Sequence, residues 1–296
     1  LGFTSEIPDG FFLNCSSLIG FSASEVTRIG DHAFENCSSF PGVNFPSSLT
    51  SIGKEAFANC IDIKGLDFPS SITEIDDGAY RGCYNIYHAH LPLKLTKISN
   101  HCFAGCRKLG TVTIHNKVKE IEEYAFFECH GLHSIKFINS ITKIGDHAFD
   151  SAWLREVTTP DRVTVIPQYC FANNHYLKNA VISDKVTEIC NYAFSDCTSL
   201  KSIEIPKTTK IGEHTFSGCP ENMRRSRPPK NPFAHPPVHS SSPTEKSNKT
   251  GIDDKRAELM KISDDSVTQK DDKSTELKKK ETIKKIDKKP AKAKKA

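Results

Sequence analysis

No stretch of this 296-residue sequence approaches 18 consecutive apolar residues, which excludes a membrane-spanning helix as a reading of any segment. There is no Cys-x-x-Cys pair to begin a zinc site, no glycine-rich phosphate loop, no nucleophile elbow and no His-Glu-x-x-His. Enzyme chemistry therefore has no recognisable carrier, and no cofactor is expected. A strong overall charge is missing too. The formal net charge is +4, but residues 270–296 hold twelve lysines against five acids, a local +7, so residues 1–269 carry −3. That balance argues against a nucleic-acid field over the whole molecule and leaves a local one at the C-terminal end. The sequence opens on Leu1 and already inside a repeat, so whether a signal peptide precedes it is left open.

What the sequence does have is one phrase, written ten times. An isoleucine is followed five residues later by an aromatic, usually then by cysteine and by an aliphatic. The isoleucines are Ile7, Ile29, Ile52, Ile75, Ile98, Ile121, Ile144, Ile166, Ile189 and Ile211. The aromatics are Phe12, Phe34, Phe57, Tyr80, Phe103, Phe126, Phe149, Phe171, Phe194 and Phe216. Spacings of 22 or 23 residues mean a stacked repeat, in which each unit buries its apolar face only against its neighbours. Ile52, Phe57, Ile98, Phe103, Ile121, Phe126, Ile144 and Phe149 are thus expected in one continuous core.

Within a unit, apolar residues alternate with polar ones, as at Val112 and Ile114 between Thr111 and Thr113. This period of two reads as a strand with one buried face. A β-branched piece such as Val186-Thr187-Glu188-Ile189 reads as a second short strand. The Ala-Phe segment after it is expected to make a single helical turn, held by burial of the aromatic.

Eight of the eleven cysteines stand in one column, three residues after the aromatic: Cys15, Cys37, Cys60, Cys83, Cys106, Cys129, Cys197 and Cys219. Ala152 and Asn174 replace cysteine in the same column. A slot that accepts Cys, Ala or Asn reads first as a small buried position holding free thiols, with stacked disulfides or a metal as competing readings. Reduced thiols lean towards an intracellular setting, cytoplasmic or nuclear, over a cell-surface or secreted one.

The pattern aliphatic-x-x-Ile-x-Ile-Pro-x-x-Val-Thr-x-Ile-Gly-x-x-Ala-Phe-x-x-Cys resembles the BspA-like (Treponema-type) leucine-rich repeat over residues 1–219. The resemblance implies a right-handed solenoid of ten coils and, from the family's proteins, a surface or adhesion role through protein binding without catalysis. One unit departs from the pattern. At Ser151-Ala152-Trp153-Leu154 it is a residue short and lacks cysteine, so Trp153 is expected to fill the gap, with a bend or contact point there.

Two kinds of candidate site remain. Asp31-His32, Asp146-His147 and Glu213-His214 pair a carboxylate with imidazole, but they occupy one repeat column, so repetition explains them better than catalysis. The outward positions of the first strand vary while the core stays fixed, as a recognition surface requires. On that face Asn44, Asp67, His88, His90, Thr111, Thr113, Lys136 and Glu156 are the expected partner-binding residues. His88 and His90 share one face, but as two imidazoles without an assigned carboxylate they give a metal reading little support. The sequons at Asn14 and Asn36 fall out of the repeat consensus itself, and a third lies at Asn248.

Residues 220–252 are rich in Pro and Ser and read as a disordered linker; residues 253–296 read as a charged, Lys-rich disordered tail. Lys278, Lys279, Lys280, Lys284, Lys285, Lys288 and Lys289 form a polycation. It suits an anionic partner, either nucleic acid (with nuclear import) or an acidic membrane surface, or else simply solubilises the chain. The sequence thus predicts a non-enzymatic interaction scaffold with a partner of unknown identity. A cell-surface adhesin and a nuclear adaptor acting through the tail are the alternatives.

Overall fold

All ten recurrent isoleucines close a two-residue strand, from Glu6–Ile7, Arg28–Ile29 and Ser51–Ile52 through to Glu188–Ile189 and Lys210–Ile211. These belong to a computed structural model that describes residues 5–226 other than 23 and 43. The linker beyond residue 226 and the polycationic tail lie outside the described residues. Within them the chain is a parallel β-solenoid of about ten turns, and equivalent isoleucines stand in register, as in Ile7↔Ile29 and Ile29↔Ile52. β-branched isoleucine suits this position because it packs against its equivalents in the adjoining coils on a pleated surface.

The isoleucine ladder is interrupted twice, and one column accounts for both breaks. The residue after each isoleucine normally donates its backbone N–H to the preceding coil's isoleucine carbonyl, as Gly53 does to Ile29 and Gly145 to Ile121, both at 2.8 Å. Pro167 has no N–H to give Ile144, so the ladder stops between Lys143–Ile144 and Val165–Ile166. At Ser99 the hydroxyl takes the Ile75 carbonyl instead, at 2.6 Å, and the ladder stops again.

A second face carries three-residue strands. Gly65–Asp67, His88–His90 and Thr111–Thr113 pair in that order. Glu156–Thr158, Asn179–Val181 and Ser202–Glu204 form another sheet. Middle residues point inward: Leu66, Ala89, Val157, Ala180 and Ile203 are buried. Between the two sheets, residues 134–136 form no strand.

The expected helical turn is absent; no helix occurs among the described residues. The residues two before and two after the aromatic take left-handed backbone in coil after coil, for example His32 (φ 55°) and Asn36 (φ 61°), or glycine at Gly82 and Gly105. Alternate N–H groups are aimed at the next coil: Gly10 to Asp31 O, Phe12 to Ala33 O and Asn14 to Glu35 O, at 2.7–2.8 Å. Those in between close tight turns within the coil, Leu13 to Gly10 O and Cys15 to Phe12 O, both at 3.0 Å. A helix would direct every amide into its own ladder. Stacking instead offers half of them an acceptor in the neighbouring coil, and the segment becomes a chain of turns.

The Ile and aromatic side chains fill the interior. Ile52, Phe57, Ile98, Phe103, Ile121, Phe126, Ile144 and Phe149 are all buried. The aromatic column is one continuous stack, with Phe34–Phe57 at 5.1 Å and Phe126–Phe149 at 5.3 Å between ring centroids. Trp153 does not fill the core where the unit is short. Ala152 occupies the cysteine position, buried, while Trp153 lies half-exposed, stacked on His130 at 4.3 Å with Tyr176 at its edge. The stack also passes the boundary expected at residue 219. Arg224–Ser226 pairs with Ser202–Glu204, and the Arg225 guanidinium lies 4.4 Å from the Phe216 ring at the end of the aromatic column. Arg224-Arg225-Ser226 carries no apolar alternation, so its sequence did not announce a strand.

Candidate functional site

Parallel pairing at a period of two gathers five of the expected partner-binding residues on one sheet face. Asp67 lies opposite His90 and His90 opposite Thr113, with His88 opposite Thr111. All are exposed except His88, which is half-buried. Asn44 lies near Asp67 across a cavity of about 440 Å³ that Phe45 and Ile63 also line. Lys136 and Glu156 are set apart from these. They border a groove of about 630 Å³, opened where residues 134–136 leave the sheet, with Ile135, Phe137 and Pro160 along its walls. The apolar groove beside a lysine and a glutamate was not foreseeable from the outward columns, because its apolar walls are positions that point inward elsewhere.

The imidazole pair does have a carboxylate, correcting the reading of His88 and His90 alone. Asp67 comes from the preceding coil, with Oδ1 2.6 Å from His90 Nδ1 and Oδ2 3.4 Å from His88 Nε2. The two histidines lower the Asp67 pKa, mainly through the His90 hydrogen bond. The sequence separates Asp67 from the histidines by a full coil, so only the register reveals the triad.

The Asp-His pairs prove to be two unrelated ladders. Asp31 and Asp146 accept backbone N–H groups from the next coil, Lys54 N and Gln168 N, both at 3.0 Å. The histidines turn to other acids: His32 to Glu35 at 2.7 Å and His147 to Asp150 at 2.9 Å. In the left-handed column before the aromatic, the rings of His101, Tyr124, His147, Tyr169, Tyr192 and His214 stack in sequence, 4.5–5.1 Å apart. This ladder was missed, although the aromatic identity of one column in six successive units is its signal. In the matching column after the aromatic, Asn36 donates to Asn14 Oδ1 at 2.8 Å and Asn59 to Asn36 Oδ1 at 2.9 Å. The side-chain amide of the Asn36 sequon is thus already engaged.

The cysteine column has a structural task. Seven of its eight thiols donate to the carbonyl of the aromatic in the preceding coil: Cys37 to Phe12 O, Cys60 to Phe34 O, Cys83 to Phe57 O, Cys106 to Tyr80 O, Cys129 to Phe103 O, Cys197 to Phe171 O and Cys219 to Phe194 O, at 3.0–3.2 Å. Asn174 does the same with its amide, to Phe149 O at 2.8 Å. Burial pushes the Cys37 thiol up to about 11 and Cys60 to about 12, which keeps the donating proton in place at neutral pH.

The family description that matches the chain is the BspA type leucine-rich repeat region, in six copies over residues 5–126 and 96–222. Among solved structures the chain is similar to a leucine-rich cell surface protein from Faecalibacterium prausnitzii, at 27% identity and TM-score 0.53. That match covers 73% of this chain and 68% of the other. It also resembles in fold a leucine-rich repeat protein from Bacteroides ovatus, at 24% identity and TM-score 0.52, covering 74% and 81%. No curated protein matches the chain.

Proposed function

This chain belongs to the BspA-type leucine-rich repeat family, and from that premise we propose that it is a non-enzymatic scaffold that binds a protein partner through the face of its three-residue strands. The observation that carries this reading is the division of labour along those strands. Inward positions keep to a few apolar types, while outward positions change from coil to coil through Gly65, His88, Thr111 and Glu156. Core packing places no demand on outward side chains, so their variety is free to serve recognition. The groove beside Lys136 and Glu156 adds partly buried apolar walls next to charge, the composition of a protein-contact patch.

The test places a photo-crosslinking residue at Thr113 or Lys136, and as a control at Glu188 on the isoleucine-ladder side, in cells that make the protein. Crosslinked adducts from the first two positions and none from Glu188 are expected. Adducts equally frequent from all three, or absent from Thr113 and Lys136, would refute the strand face as the binding surface.

A second reading, a cell-surface adhesin, is favoured by the likeness to the Faecalibacterium cell surface protein. Labelling of intact cells with a membrane-impermeant reagent separates the two: modification of the protein supports the adhesin, and protection supports an internal scaffold.

A further inference from the structure

We propose that Asp67, His88 and His90 form a surface site for a divalent transition-metal ion of the zinc class. One ligating atom of each residue lies within 4.8 Å of those of the other two. The bond lengths of zinc to nitrogen and oxygen, about 2.0–2.1 Å, call for donors roughly 3.3 Å apart in a tetrahedral site. The Asp67 oxygens already stand 2.6 and 3.4 Å from the two imidazole nitrogens, so small rotations of the exposed Asp67 and His90 side chains about the half-buried His88 bring all three onto one ion. Two imidazoles with one carboxylate suit zinc, copper or nickel. Calcium and magnesium, which take oxygen ligands, are disfavoured by the same set. Three protein ligands leave a coordination position open to water or to an incoming side chain.

The fold holds the ligands before any ion arrives. His88 and Asp67 are on adjacent strands whose register is fixed by backbone pairing. The His88 ring lies over Gly65, where a β-carbon would come within 2.1 Å of its Cε1 atom, and any side chain at Gly65 would displace the ring. Tyr87 packs beside it with ring centroids 4.7 Å apart, and the His88 side chain is only 21% exposed. Restriction of this kind lowers the ordering cost of binding. Among the described residues the other group of comparable geometry, His32, Glu35 and Glu55, offers a single imidazole. One of its carboxylates is already taken by a cation, Glu55 by Arg81 at 2.7 Å. The proposal stands whether or not the same face binds a protein.

The test is zinc titration of the full chain in competition with a chromophoric chelator, with His88→Gln/His90→Gln, Asp67→Asn and Gly65→Val measured alongside. Asp67 and His90 are exposed and His88 and Gly65 half-buried, so thermal melts in chelator report that each variant is folded. The wild type is expected to bind one more zinc ion than the double-histidine variant and to melt higher with zinc than with chelator. Asp67→Asn and Gly65→Val should each weaken that site by about tenfold or more, in the range seen when a metal site's supporting groups are removed. Equal zinc stoichiometry and affinity in the wild type and the double-histidine variant would overturn the proposal, as would a wild-type melt that zinc leaves unmoved.

Discussion

Tyr80 is the single tyrosine in the aromatic column, and its hydroxyl is buried without a hydrogen-bond partner. Removing an unsatisfied buried polar group recovers its desolvation cost, about 1–3 kcal/mol. Tyr80→Phe is therefore expected to raise stability by about 1 kcal/mol or more, read as a higher urea midpoint; a lower midpoint contradicts the assignment. The thiols give a second prediction at this scale. Of the eleven cysteines only Cys15 is exposed, with Cys190 and Cys219 half-buried. Native protein treated with a thiol reagent should label fast at Cys15, slowly at those two and at no other. Unfolded, reductant-free protein should label at all eleven, because each carries a free thiol. The cysteine column also shows what one-residue reading delivers: a small buried slot was legible from Cys37 to Cys197, whereas the sulfur's hydrogen bond to the previous coil was not, since its acceptor is a main-chain carbonyl.

Among the elements, the stacked rings on the coil surface deserve a measurement of their own. Tyr169 contacts His147 at 4.6 Å and Tyr192 at 4.8 Å, and its backbone is left-handed at φ 53°. Aromatic pairs contribute about 0.5–1.5 kcal/mol each, so Tyr169→Ala should cost about 1–3 kcal/mol. Tyr169→Gly should cost less than Tyr169→Ala, because glycine occupies this backbone region without penalty. Denaturant melts of both variants check the order, and alanine proving the milder change would disprove it. The turn around the aromatic is where sequence reasoning failed. Ala-Phe inside a short polar segment is compatible with a helical turn, and nothing local records that alternate amides find acceptors 21 residues on, as Phe12 does at Ala33.

Across the whole molecule, stacked units share stability through nearest-neighbour contacts, so a surface group at one junction influences the stack it joins. His130, half-buried against Trp153, has its pKa held below the ordinary 6.5, first by burial and then by Arg107. Burial, followed by Arg81, does the same at His101. Below pH 6.5 the unfolded chain binds more protons at these sites than the folded one, so stability declines as pH falls from 6.5 towards the lower folded values. Above 6.5 the two make no difference. Asp9 and Asp67, held below the ordinary 3.8, reinforce the trend at lower pH: the stability they contribute is present above that value and lost as pH falls through the folded one. Urea midpoints should therefore be lower at pH 5.5 than at 7.5, and His130→Gln should narrow the gap; a gap of unchanged size would show that His130 is not responsible.

The sequence by itself determined the repeat, the ten isoleucine strands, the buried aromatic column and the outward positions, because each follows from periodic burial, which is written into every unit separately. The tertiary structure decided what depends on which unit faces which. It set Asp67 beside His88 and His90, sent the Asp31 and His32 side chains to different partners, and broke the ladders at Ser99 and Pro167. It also opened the groove at residues 134–136. Such contacts join residues a full coil apart, and only the register between coils, a property of the stack and not of any one segment, brings them within a hydrogen bond's length.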